Sequence, residues 1–342
     1  MKSRAAALLV ALALLTTSAG VRSAQDPPPS PPPEQVPFAE WLDAVRVEAQ
    51  TRGISQSIID QALDIDEPMP VVIERDRNQA EAVLPLETYI NRRVTSSVVR
   101  AGRQMRERHR AVLNRVADAY GVPASIIVAI WGVESNFGRF TGTRPTVAAL
   151  ATLAWDPRRS AFFRQELFNA LEILERRDIE FSRLRGSWAG AMGQPQFMPS
   201  SYLQYAVDFD EDGRRDIWQS HADIFASVAN YLKGYGWVKG FRWGRDVVVP
   251  AEAAPAIDAL ARREGSCGAK RDMTVRRPLS EWRRLGLRDA DGSLLPAADI
   301  EASLVSGSTR RFLVYDNYDA ILSYNCAHAY ALSVALLAER IG

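Results

Sequence analysis

The chain has 342 residues, 47% of them hydrophobic, with 42 Lys and Arg against 41 Asp and Glu for a formal charge of +1. That balance, with no basic block, argues against nucleic acid as the main partner. No apolar run reaches the roughly 20 residues a membrane-spanning helix needs, so no transmembrane segment is expected.

Residues 1–24 begin with Lys2 and Arg4, continue through the apolar run from Ala5 to Leu15 and finish in small residues. This is the pattern of a cleavable signal peptide, with cleavage after either Gly20 or Ala24. No cysteine lies near either site, so a lipid-anchored N-terminus is not expected. Residues 25–36, with six prolines, favour extended polyproline II and read as a linker. The rest, 37–342, reads as one domain. Helical spacing runs from Phe38 to Asp64, with Trp41, Leu42, Val45, Ile54, Ile58, Ile59 and Leu63 on the apolar side. A long Arg-rich helix is predicted over Val83–Arg110 and onward to Tyr120, where Gly121 ends it. Pro123 opens another helix to Asn136. Further helices are predicted at Ala161–Arg177, Ile224–Lys233 and His328–Ile341. Short alternating stretches at 246–250, 273–278 and 311–316 predict strands. The expected fold is therefore mainly α, with a small β-containing insertion at 244–316. Cys267 and Cys326, the only cysteines, can form a disulfide in an exported protein or remain two buried thiols.

Within the predicted helix 123–136, Ile126, Ile127, Ile130 and Val133 lie on or beside one face, and Glu134 falls in line with Ile127 and Ile130. It also sits in the last turn. Apolar surroundings and the negative end of the helix dipole both disfavour its ionised form. A carboxyl held protonated near neutral pH suits a general acid; the structural alternative is pairing with an arginine such as Arg139. A second stretch, GSWAGAMGQPQFMPSSY at 186–202, is rich in small residues that would let backbone approach a ligand. Ser187, Gln194 and Gln196 offer hydrogen-bonding groups, and Trp188 and Phe197 offer flat apolar walls. Sugars need this mixture.

With these motifs in order, joined by ALATLAWDPRR, AVDFDEDGRRDIW, SVANYLKGYGWVKG and YNCAHAYA, the sequence resembles the B-type lytic murein transglycosylases, lysozyme-like enzymes of bacterial peptidoglycan. The resemblance covers most of the chain after the linker. It implies a lysozyme-like α-helical catalytic domain, glycan strands of peptidoglycan as substrate, a periplasmic location, and Glu134 as the catalytic acid. It further implies sugar-binding roles for Ser187, Gln196, Tyr231, Tyr324, Asn325 and Tyr330, and places Arg158 and Arg159 toward the peptide stem. Glycosidases ordinarily use two carboxylates, but none follows Glu134 in the motifs at a place to hold water. One glutamate acting as acid and then as base, to give a 1,6-anhydro product, is the reading this favours. A hydrolytic muramidase and a non-catalytic wall-binding protein are the alternatives.

The segment DFDEDGRRD has acids at positions one, three, five and nine and glycine at six, the spacing of an EF-hand loop. Asp208, Asp210 and Asp212 would offer carboxylates and Arg214 its carbonyl. The twelfth position is Gln219 rather than glutamate, and the family's variant loop takes its last ligand further on, at Asp223. A structural Ca2+, or Na+, is the expected ion; a solvated acidic turn is the alternative. No cofactor is expected for catalysis.

Overall fold

Helix Ala124–Ser135 lies at the centre of the structure, a computed structural model that describes residues 35–78 and 84–342. Residues 126–131 are all buried, so this helix is apolar all round rather than along one stripe. Such a helix must be enclosed. Ser96–Arg108, Arg110–Tyr120, His221–Gly234 and His328–Ile341 pack against it. Their inner faces make the first of three apolar cores. A second core joins Phe38–Thr51, Gln56–Ala62, Pro70–Asn78, Thr146–Trp155, Ser160–Glu175 and Pro199–Tyr205. The third belongs to a five-stranded antiparallel sheet whose strands all lie between Gly244 and Val314.

The fold is mainly α with a small β-containing part, as the sequence led us to expect. Its boundaries differ in instructive ways. The segment 38–64 divides into two helices around Arg52–Ser55. The Arg-rich segment divides into Leu86–Arg93 and Ser96–Arg108, because the Thr95 hydroxyl caps the second helix by accepting from the Val98 amide at 3.3 Å. Helix Thr146–Trp155 was not anticipated: nearly every residue in it is buried, which erases the periodic signal. The stretch 311–316 is strand only through Val314, and Asp316 already starts helix Asp316–Tyr324. Strand Glu301–Ser306, also unanticipated, pairs with Arg311–Val314 in the register Leu304 to Leu313. In space the strands run Arg277–Pro278, Glu301–Ser306, Arg311–Val314, Gly244–Val248, Arg288–Asp289. Cys267 and Cys326 are disulfide-bonded. The segment 1–24 expected to be a signal peptide, and the expected linker 25–36 as far as Glu34, lie outside the described residues.

Candidate active site

Helix Ala124–Ser135 ends one residue after Glu134. Asn136 and Phe137 take left-handed φ values of 50° and 59°, and the Phe137 amide reaches back to the Trp131 carbonyl. This sharp stop leaves Glu134 half-buried in the final turn, with its side chain lining a cleft of about 340 Å³ between the first two cores. Burial pushes the carboxyl up to about 7. The Tyr330 hydroxyl and the more distant Arg93 charge oppose that shift without cancelling it. Arg139 is exposed and is not among the groups acting on Glu134.

The small-residue loop 186–202 forms one wall. Its glycines serve the protein's own packing rather than close approach of a ligand. A β-carbon on Gly186 would fall 2.3 Å from the Ala191 carbonyl oxygen, and one on Gly142 would fall 2.0 Å from Gly186 backbone. The loop is thereby pressed against the chain that follows Glu134. Its bonding leaves specific groups for a ligand. The Ser187 hydroxyl oxygen accepts from the Ala189 and Ala191 amides at 3.2 and 3.1 Å, so its proton can be donated into the cleft. The Gln196 amide donates to the Gly193 and Thr141 carbonyls at 2.8 and 3.1 Å, which leaves its carbonyl oxygen as an acceptor. Gln194 is different. It is buried, accepting from the Trp131 indole at 2.7 Å and donating to the Trp218 carbonyl at 2.8 Å, so it braces the loop and offers nothing to a ligand.

The opposite wall is aromatic. Tyr231 and Tyr324 pack with ring centroids 4.6 Å apart, and Phe197 lies against both. Their hydroxyl protons are already directed to the Ser323 and Pro195 carbonyls. They therefore present rings and acceptor lone pairs. Asn325, Trp188, Met198, Ser201 and Arg159 complete the lining. Of the residues named from the sequence, Glu134, Arg159, Ser187, Gln196, Tyr231, Tyr324 and Asn325 share this cleft. Arg158 and Tyr330 do not line it. Tyr330 is only 3% exposed. Its hydroxyl reaches no partner in full hydrogen-bond geometry, yet faces Glu134 closely enough to favour the ionised carboxylate. It is a group behind the acid and not a cleft wall. Arg158 turns away to Asp76. Met198 and Ser201 were missed because neither carries a distinctive chemical signal.

In the acidic loop, carboxylate oxygens of Asp208, Asp210 and Asp212 lie within 4.8 Å of one another. Asp208 accepts from the Asp212 and Gly213 amides at 3.1 and 2.9 Å, which folds the loop around these oxygens. Gly213 takes a φ of 88° at the turn. Asp223 is fully buried and accepts from the Phe209 and Asp216 amides at 2.7 and 2.9 Å. It is thus a brace for both ends of the loop and lies outside the converging trio. The donor set, all hard oxygen and rich in negative charge, fits a calcium ion.

The sequence matches the family described as Transglycosylase SLT domain over residues 37–339. The chain belongs to this family. Among curated members it is 34% identical over 256 residues to the membrane-bound lytic murein transglycosylase B of Escherichia coli K12; the match spans 74% of this chain and 66% of that relative's length. Among solved structures, SltB3 from Pseudomonas aeruginosa, in complex with NAG-anhNAM-pentapeptide, superposes with a TM-score of 0.80 at 42% identity, over 88% of this chain and 78% of that one. The Escherichia coli lytic transglycosylase Slt35 in complex with calcium gives 0.73 at 30% identity, over 89% and 92%. This transglycosylase-family chain therefore shares the lysozyme-like fold of those enzymes. Among its described residues no single helix is long and apolar enough to cross a membrane.

Proposed function

We propose that this chain is a peptidoglycan lytic transglycosylase that cleaves the MurNAc-β-1,4-GlcNAc bond without water and leaves a 1,6-anhydroMurNAc end. The observation that carries this reading is Glu134: among the described residues lining the cleft it is the only carboxyl group, and it is held up to about 7. Near neutral pH it is available in both protonation states. Protonated, it gives its proton to the glycosidic oxygen as the bond from C1 to that oxygen breaks. The Ser187 hydroxyl, with its proton free, can orient the acetamido carbonyl of the muramoyl sugar, whose attack on C1 would relieve the developing charge. The carboxylate thus formed takes the proton from the C6 hydroxyl as O6 closes on C1. The proton lost in the first step is regained in the second, and no water enters. A hydrolase would need a second carboxylate across the sugar. The relative solved with an anhydromuramoyl peptide supports the same reading.

Asp208, Asp210 and Asp212 would hold Ca2+, or Na+ in its place, with the Arg214 carbonyl completing the loop; the relative solved with calcium supports this. The ion would order a surface loop and supply no chemistry. Export to the periplasm by the segment 1–24 accords with a wall substrate.

The test is the product. Digestion of purified peptidoglycan in heavy-oxygen water should release muropeptides with unlabelled 1,6-anhydro ends, one water lighter than lysozyme products. Labelled reducing ends as the main species would replace this reading with hydrolysis.

A further inference from the structure

Between Arg92 and Arg115 the chain carries eight arginines and a single acid, Glu107, although its formal charge is only +1 overall. The arginines are interleaved with apolar residues at helical spacing, so no basic block shows in the sequence; the helices gather them. Val94, Val99, Leu113 and Val116 turn into the first core, and all eight arginines are left exposed. Three helices share this face. Leu86–Arg93 ends beside the last turn of His328–Ile341, where the Arg340 guanidinium donates to the Val94 carbonyl at 3.1 Å. The Arg340 carbonyl accepts from Nε of Arg103, on Ser96–Arg108, at 2.9 Å. A β-carbon on Gly102 would fall 2.6 Å from the Ile341 side chain, so these two helices touch. His109 then joins Ser96–Arg108 directly to Arg110–Tyr120. The basic face thus runs from Arg92 to Arg110 with Arg340 inside it.

Little neutralises it. Among the described residues its one ion pair is Arg110 with Glu107, at 3.6 Å. Neighbouring acids are engaged elsewhere: Glu87 accepts from the Thr309 and Arg310 amides, and Glu339 pairs with Arg242. Arginines in last turns, such as Arg92, Arg106 and Arg340, complement the helix dipoles. That does not account for Arg100 and Arg103, which stand mid-helix. From Arg100 to Arg106 a guanidinium recurs every three residues, a rise of about 4.5 Å. A partner that answers this density must present anions across a surface. A peptidoglycan strand carries carboxylates only on its stems, one stem per disaccharide. A phospholipid layer presents a phosphate at every headgroup, and a guanidinium pairs with phosphate through two parallel N–H bonds. The apolar sides of these helices are already packed in the core, so the contact is adsorption on headgroups and not insertion.

We propose that the arginine face formed by Leu86–Arg93, Ser96–Arg108 and the end of His328–Ile341 is a docking surface for the headgroups of an anionic phospholipid membrane. It is separate from the cleft lining and does not depend on how the glycan is cut.

The experiment is co-sedimentation of the full chain with vesicles of phosphatidylcholine, alone or with phosphatidylglycerol added, and in parallel with purified peptidoglycan. Wild type should bind the phosphatidylglycerol vesicles well above phosphatidylcholine alone. Raising salt from about 0.05 M to about 0.5 M should release it, because the screening length contracts. The side chains of Arg92, Arg100 and Arg106 make no hydrogen bond or ion pair with any described residue, so R92Q/R100Q/R106Q should keep the wild-type melting temperature. Each arginine near an anionic surface is worth about fivefold in affinity, so this variant should bind phosphatidylglycerol vesicles roughly a hundredfold more weakly. R92K/R100K/R106K keeps the charge and should retain most of the binding. The N-terminal segment is the same in every variant, so differences between them report the arginine face. Equal binding to the two vesicle types, indifference to salt, or no loss in the glutamine variant overturns the proposal, as does a lysine variant as weak as the glutamine one. Peptidoglycan binding that falls in the glutamine variant while wild type ignores the vesicles would assign the face to the wall and overturn it too. If the glutamine variant does not fold, R100E alone takes its place: a loss of about fivefold or more on phosphatidylglycerol vesicles is expected, and none overturns the proposal.

Discussion

The cleft acid and the tyrosine behind it set the behaviour at the scale of single residues. Replacing Glu134 with Gln removes the only carboxyl group among the described cleft residues, so turnover should fall by roughly 10²–10⁴-fold, the contribution of one positioned acid–base group. A second consequence separates the raised carboxyl from a merely essential one. In the folded chain the Glu134 carboxyl is held up to about 7 against a usual value near 4.5. The folded state therefore binds this proton more tightly than the unfolded state, and stability is lost as pH rises from about 4.5 through about 7. E134Q should escape that loss. Relative to wild type it should become more stable between pH 5 and pH 8, by roughly 3 kcal/mol at most, in denaturant unfolding followed across that range. An unchanged difference at the two pH values would mean the carboxyl is not raised. Tyr330 acts in the opposite sense, since it favours the ionised carboxylate. Y330F should move the alkaline limb of the kcat/KM profile to higher pH while leaving the fold intact; a limb that stays in place would leave Tyr330 as simple packing. The sequence disclosed Glu134 because an ionisable group in an apolar run is conspicuous. It could not disclose where Tyr330 stands, because that depends on how the last helix packs against the central one. Nor could it disclose Asp76, which meets Arg158 across 82 residues of sequence.

At the scale of elements, what was legible follows from what leaves a periodic trace. Amphipathic helices such as Ser160–Glu175 and His328–Ile341 appear at nearly their observed bounds, because one side meets the core and the other meets water. Thr146–Trp155 is buried on all sides, and Pro70–Asn78 buries only Val72 and Asp76, so neither shows a face to read. The glycines of 186–202 were taken for ligand approach when their neighbours are the protein's own backbone and side chains, a distinction only tertiary structure makes. The acidic loop was read from spacing alone, and its carboxylates do converge, but Asp223 takes a brace's place beside them. This loop supplies a prediction of its own. Three mutually close carboxylates repel each other, and an ion that binds the folded form alone adds RT ln(1 + [L]/Kd) to its stability. Millimolar calcium should raise the melting temperature of wild type above its value in chelator, and Asp212→Ala should abolish most of that rise. A wild-type melting temperature indifferent to calcium would leave the loop without this ion, and the same titration with sodium would show whether a monovalent ion serves instead.

At the scale of the whole molecule, one covalent link ties the β-containing part to the cleft. Cys267 directly precedes helix Gly268–Asp272, and Cys326 lies in the turn between helices Asp316–Tyr324 and His328–Ile341. The residue before Cys326 is Asn325, which lines the cleft, and the one before that is Tyr324, part of its aromatic wall. The turn is short and tightly bonded: the Ala327 amide donates to the Asn325 carbonyl at 2.7 Å. The bridge spans 59 residues of sequence. Closing a loop of that size in the unfolded chain is worth about 4 kcal/mol in the chain-entropy picture, with roughly 2–4 kcal/mol the usual measured range. The C267S/C326S double variant should therefore unfold at lower denaturant by that amount, and reductant should lower the wild type toward it while leaving the variant unmoved. Because the freed cysteine adjoins Asn325, the loss should reach the cleft as well: KM for peptidoglycan should rise more than kcat falls, since Glu134 sits on the central helix and keeps its surroundings. Equal stability of the variant and wild type in oxidising buffer would mean that the packing of Cys267 and its neighbours already holds the two parts together. A stability loss with unchanged KM would show that the turn bearing Asn325 is fixed by its own hydrogen bonds and by the Tyr231 and Tyr324 contacts, and that the bridge guards the fold without shaping the site.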